Sequence, residues 1–195
     1  MANSIIEDGT GTGKKAKVDS SNRLATLSHI ESELHVAIDN GEGLLLSTGY
    51  ITLTSANASG VIYLINNDSE DWIISEIRTS IGTSTGGTTT DVKCEFVKDP
   101  TSTTVAGVIT PINLLSSHIL MADISAYYGA EGNTFTGGTA FNQHFHQTKS
   151  EATHQQGEVI YLLSAGKSIG IRVTPPASNT SMQIAINIVI YRKNF

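Results

Sequence analysis

From residue 43 onward the apolar residues come in short runs, rich in β-branched side chains and bounded by Gly, Ser, Thr or Asn. Short runs at regular spacing with turn residues between them predict an all-β sandwich or barrel. The candidate strands are Leu44–Leu46, Tyr50–Thr54, Val61–Asn66, Trp72–Ile81, Val92–Lys98, Val105–Ile109, Ile119–Ala126, Ala140–Gln147, Glu158–Leu163, Ser168–Thr174 and Met182–Arg192. Across Ile51–Ser55 apolar and polar residues alternate, which predicts one wet face. Near the C-terminus Ile184, Ile186, Ile188 and Ile190 fall on one face. Ala185 and Val189 flank Asn187 on the other. That pattern predicts a central strand, buried on one side and partly covered on the other.

The segments between the runs carry turn chemistry. Residues 82–90 and 129–138 are rich in Gly and Thr, residues 98–104 hold a Pro-initiated turn, and Pro175 and Pro176 stop one strand before the next. Roughly eight to eleven strands with such loops predict a jelly-roll-like antiparallel β-sandwich. No repeat of 20–50 residues is present, which argues against a solenoid or propeller.

Residues 1–23 lack this pattern and read as an extended N-terminal arm, polar, Gly-rich and locally basic. Residues 24–38 are ambiguous. Leu24, Leu27, Leu34 and Ile38 fit a helical stripe, and Ser28 with Glu31 has capping-box spacing. An extended path is equally compatible, because Gly41 and Gly43 follow at once. The expected organisation is arm and linker over 1–40 and a sandwich domain over 41–195.

Ser and Thr fill 44 of the 195 positions, while charged residues are only 15%, so solubility rests on hydroxyls and amides. A net charge of −6 argues against a nucleic-acid coat. Lys14, Lys15, Lys17 and Arg23 nevertheless cluster in the arm. They read as a solvated tail or as a segment that docks on an acidic protein surface. Cys94 is the single cysteine and sits in a strand pattern, where it reads as a small buried apolar residue. The first residues lack the apolar core of a secretory signal, and no apolar run approaches the ~18 residues of a membrane span. The expectation is a protein made in a cytoplasm, with neither a membrane nor a nucleic acid as partner.

Catalytic motifs are weak. Gly9–Lys15 resembles a phosphate-binding loop, but the motif's first glycine would fall on Asp8 and its hydroxyl residue on Lys15. His144 and His146 lie two apart in a strand pattern, with His154 eight residues on. They are weak candidates for a metal, since no carboxylate or thiolate stands at matching spacing; the plainer reading is surface histidines. Trp72 is the only tryptophan and aromatic residues are 6%, little for a sugar-binding platform. Sequons at Asn57, Asn67 and Asn179 match chance expectation in so Ser/Thr-rich a chain. No catalytic residue and no cofactor is expected, and the chain reads as a non-enzyme.

Residues 13–26, 34–38, 51–68 and 175–191 together resemble a group of tailed-bacteriophage virion structural proteins, capsid decoration and cement proteins among them. The resemblance does not separate head decoration proteins from tail or head–tail-interface proteins. The resemblance implies a place in a virion assembled in the host cytoplasm. It implies the major capsid protein or other virion proteins as partners, and a homotrimer. The leading expectation is a cement protein that binds and stabilises the outer surface of the head. The alternatives are a tail, baseplate or head–tail-interface component, a carbohydrate- or receptor-binding module and, last, a hydrolase on a β-sandwich. Lys14, Lys15, Lys17 and Arg23 are then the expected partner-binding residues.

Overall fold

The computed structural model describes residues 33–85, 91–102, 104–115, 123–147, 153–156, 161–177 and 181–193. It opens with a short helix, α1 (Glu33–Asp39). The strands follow in chain order: β1 (Gly43–Ser47), β2 (Ile51–Leu53), β3 (Ser59–Asn66), β4 (Trp72–Thr85) and β5 (Asp91–Lys98). Next come β6 (Thr101–Ser102), β7 (Gly107–Val108), β8 (Ile112–Asn113), β9 (Ile124–Tyr128) and β10 (Phe135–Thr136). The last are β11 (Thr139–Gln147), β12 (Thr153–Gln156), β13 (Tyr161–Leu163), β14 (Ser168–Thr174) and β15 (Ser181–Arg192).

Two antiparallel sheets pack face to face, as the sequence pattern predicts. The first runs β12–β4–β15–β1–β8, with β13 also on β4 and β2 also on β15; the second runs β11–β5–β14–β3–β9–β7. The long strands pair in a nested way. β1 pairs with β15, β3 with β14, β4 with β12 and β13, and β5 with β11, so early strands meet late ones and successive pairs alternate between the sheets. β1 and β2 act as one bent strand along β15: at the bend the Thr48 amide donates to the Ile186 carbonyl, and the Ile186 amide donates to Thr48 Oγ1.

The core lies between the sheets. Ile184, Ile186, Ile188 and Ile190 of β15 all point into it, beside Leu44, Leu46, Ile74 and Ile77 of their own sheet and Val61, Phe96, Ile171 and Val173 of the other. β-Branched side chains have few rotamers to lose on a pleated surface, which is why such runs settle as buried strands. Trp72 is buried at the start of β4. Asn66 is the main buried polar side chain: its amide donates to the carbonyls of Glu70 and Leu163, and its oxygen accepts from the Asp68 amide.

The ambiguity at residues 24–38 resolves for its last part, where Glu33–Asp39 is helical; Leu24 and Leu27 lie outside the described residues. Leu34 and Ala37 pack on Ile73 and Tyr191, on the outer face of the first sheet. Gly41, with φ 75°, ends the helix in a left-handed turn that favours glycine. The Val105–Ile109 candidate shrinks to Gly107–Val108, because Ile109 turns in to the core as the chain crosses between the sheets.

The Gly-rich stretch 129–138 is more ordered than its composition suggests. It folds over the outer face of the second sheet, where β10 pairs with β6. Phe135 sits on two glycines: a Cβ on Gly60 would lie 2.8 Å from its ring and one on Gly170 2.6 Å. Tyr63 flanks the same ring at 6.1 Å between centroids. The Gly60 amide donates to the Asn133 carbonyl, and the Glu131 carboxylate accepts from the amides of Thr54 and Ser55 and from Thr54 Oγ1.

Candidate functional site

An open sandwich leaves two lateral edges, and here each presents large apolar side chains to solvent. On one side the chain passes from β7, the margin of the second sheet, to β8, the margin of the first, through the buried Ile109. Val105, Val108 and Ile112 project from this segment, Val108 with 69% of its surface exposed. Within residues 104–115 and 123–128, which build this edge, Asp123 is the one charged residue.

The opposite edge is formed by β11 of the second sheet and β12 and β13 of the first. Phe141, Phe145 and Leu162 are its exposed apolar residues. The two sheets meet here through aromatic contacts. Phe141 stands edge-on to Tyr161 at 4.9 Å, Tyr161 stands 6.0 Å from the buried Phe96, and the Asn142 side-chain amide donates to the Tyr161 hydroxyl. Between the sheets opens a cleft of about 370 Å³, walled by Ile74, Phe141, Tyr161, Leu162, Leu163 and Ile169. Lys98, Asp99 and Lys167 stand at the same cleft. β11 runs nine residues from Thr139 to Gln147 with no Asp, Glu, Lys or Arg among them. Its one irregularity is a bulge between Ala140 and Asn142. Edge strands are commonly blunted by charge, proline or a bulge; this one has only the bulge.

Ion pairs hold one sheet face and one end of the sandwich. On the outer face of the second sheet Glu95 bridges Lys93 at 2.7 Å and Arg172 at 3.1 Å. Desolvation pushes the Glu95 carboxyl up, but the hydrogen bonds and charges of Lys93 and Arg172 outweigh it and hold the group below the usual carboxylate range. At one end of the sandwich Arg192 grips both Asp68 oxygens, at 3.0 and 3.2 Å. Desolvation again opposes ionisation at Asp68, and the Arg192 charge with the Glu70 and Ser69 amides prevails to lower its pKa. Both carboxylates are committed to structural partners.

The residues singled out by sequence fall in different places. Lys14, Lys15, Lys17 and Arg23 lie outside the described residues. β11 carries His144 and His146 opposite Cys94 and Val92 of β5, whereas His154 lies on β12 opposite Thr79, in the other sheet. Among the described residues no group of three or more His, Cys, Asp and Glu is arranged to hold a metal ion. Cys94 is buried, as its strand pattern predicts, and burial pushes its thiol up to about 12; such a thiol is inert in the folded protein. Trp72 is buried too and presents no ring face to a sugar. Among the described residues no helix is long and apolar enough to cross a membrane.

The two apolar edges escaped sequence reasoning because a strand's place in a sheet is not written in its own residues. The signal that could have found them is the absence of charge, which runs from Pro100 to Ala122 and again from Gly132 to Thr148. The chain matches no protein-family model and no curated protein sequence.

Proposed function

We propose that this chain is a non-catalytic structural subunit of a tailed-phage virion, a cement or decoration protein that binds the outer surface of the head as a homotrimer. The observation that carries the reading is the pair of lateral edges with exposed apolar side chains, Val105, Val108 and Ile112 on one and Phe141, Phe145 and Leu162 on the other. A subunit destined for a shell must leave such surface for its neighbours to cover. The sequence resemblance of residues 13–26, 34–38, 51–68 and 175–191 to virion structural proteins supplies the setting.

The strand order supports the jelly-roll form of this reading. A jelly roll is a two-sheet fold built from Greek-key connections. With β12 and β13 taken as one interrupted strand, the nested pairs β1 with β15, β3 with β14, β4 with β12 and β13, and β5 with β11 match one ribbon of eight strands rolled so that its pairs alternate between sheets. On this reading β9 and β7 extend one sheet, and α1 covers part of the other. The arm around Lys14, Lys15, Lys17 and Arg23 lies on a neighbouring subunit, with the major capsid protein as the expected partner. The burial of Trp72 weighs against a carbohydrate-binding module.

Quantitative mass spectrometry of purified particles tests the proposal. A decoration protein is present at a level comparable with the major capsid protein. Presence at trace copy number moves the chain to the tail or head–tail interface, and absence from the particle overturns the reading. Replacing Lys14, Lys15, Lys17 and Arg23 with Gln then lowers the amount bound to particles while leaving the thermal unfolding midpoint unchanged.

A further inference from the structure

We infer that the two lateral edges are the two halves of one contact, so that Val105, Val108 and Ile112 of one copy enter the cleft between β11 and β13 of the next. The inference deepens the reading of the chain as an assembling subunit and rests on it.

Three observations point to a second copy as the occupant. The edges differ in shape: one projects aliphatic side chains from a short crossing segment, while the other opens a cleft of about 370 Å³ with an aromatic wall of Phe141 and Tyr161. They also differ in charge. Lys98 and Lys167 line the cleft with Asp99, leaving it net positive, whereas Asp123 is the one charged residue of the projecting edge. Neither lysine has an ion-pair partner among the described residues. Finally, the edges lie on opposite sides of the same sandwich, with the full width of both sheets between them.

Their unlikeness sets the kind of contact. A two-fold dimer joins one patch to its own copy, whereas two unlike patches make a head-to-tail contact that closes into a ring when the rotation allows. A trimer can be built only from the second kind. The cleft lies beside β11, so the incoming residues also cover the uncharged margin of the second sheet. Leu162, 52% exposed in the single chain, is covered at the same time.

Cysteine trapping in the full-length chain tests the contact. The native Cys94 is buried, so each variant carries one accessible thiol. Val108→Cys and Leu162→Cys are prepared separately and exposed to a mild oxidant, alone and mixed. The expected result is a disulfide-linked dimer only in the mixture, and a covalent closed ring when both substitutions share one chain. Linkage of Val108→Cys to itself would show a two-fold contact and overturn the inference. So would the absence of linkage in the mixture. Val108→Ser and Leu162→Ser, which keep the backbone and add no charge, each lower the oligomer fraction at unchanged circular dichroism. A protein that links as expected but is missing from particles defeats the virion reading and leaves the contact standing. A protein abundant in particles that fails to link does the reverse.

Discussion

Gly170 shows how much one missing methyl group can hold in place. It lies inside β14, where glycine weakens a strand, and its backbone there does not require glycine's freedom. Its role is space: a Cβ would meet the Phe135 ring at 2.6 Å. Gly170→Ala therefore lifts Phe135 and loosens the 129–138 segment, at about 1–3 kcal/mol for overpacking. The thermal midpoint should fall by several degrees, and amide exchange in β10 should rise before exchange in β15. An unchanged midpoint would mean that the ring is not seated as described. Asp68 and Glu95 make a second expectation, in pH. Both have folded pKa values below their unfolded ones, so their stabilisation is present above the unfolded values and is lost as pH falls through the folded ones. Stability measured by chemical denaturation should thus decline below about pH 4, the ordinary carboxylate range. In Asp68→Asn and Glu95→Gln variants that decline should be shallower.

At the level of elements the decisive strand is β15, central in the first sheet between β4 and β1. Ile186 and Ile188 are fully buried, whereas Asn187 is only partly covered on the outer face. Ile186→Ala or Ile188→Ala should cost about 2–5 kcal/mol through lost transfer energy and a cavity. Asn187→Ser should change the unfolding midpoint little. This strand was legible in the sequence because its isoleucines recur with period two over a length no Gly or Pro interrupts. Ser168–Thr174 was legible for the same reason, and its predicted bounds match β14. The two-residue strands β6, β8 and β10 were not, since so short a run carries no periodicity, and β7 is what remains of the longer Val105–Ile109 candidate. α1 was half legible: its stripe was visible, but a seven-residue helix is marginal alone and forms because Ile73 and Tyr191 offer it a surface. The edges were hidden for another reason. Phe141, Phe145 and Leu162 look like any strand residues until the pairing shows β11 and β13 at the rim.

On the scale of the whole molecule, the sandwich holds a continuous core between its sheets while its rims remain apolar. The core explains why the chain can fold as one unit from Glu33 onward; the rims explain why it should not stay alone. Anything that binds only the native state stabilises it, so rim contacts between copies should make unfolding depend on protein concentration. Dilution should lower the thermal midpoint of the natural sequence, and Leu162→Asp should remove that dependence. The most direct measurement is the mass of the full-length protein in solution at micromolar concentration, by light scattering coupled to size exclusion. One species at three times the chain mass of 20.7 kDa is expected. A stable monomer of 20.7 kDa with both edges bare would contradict it.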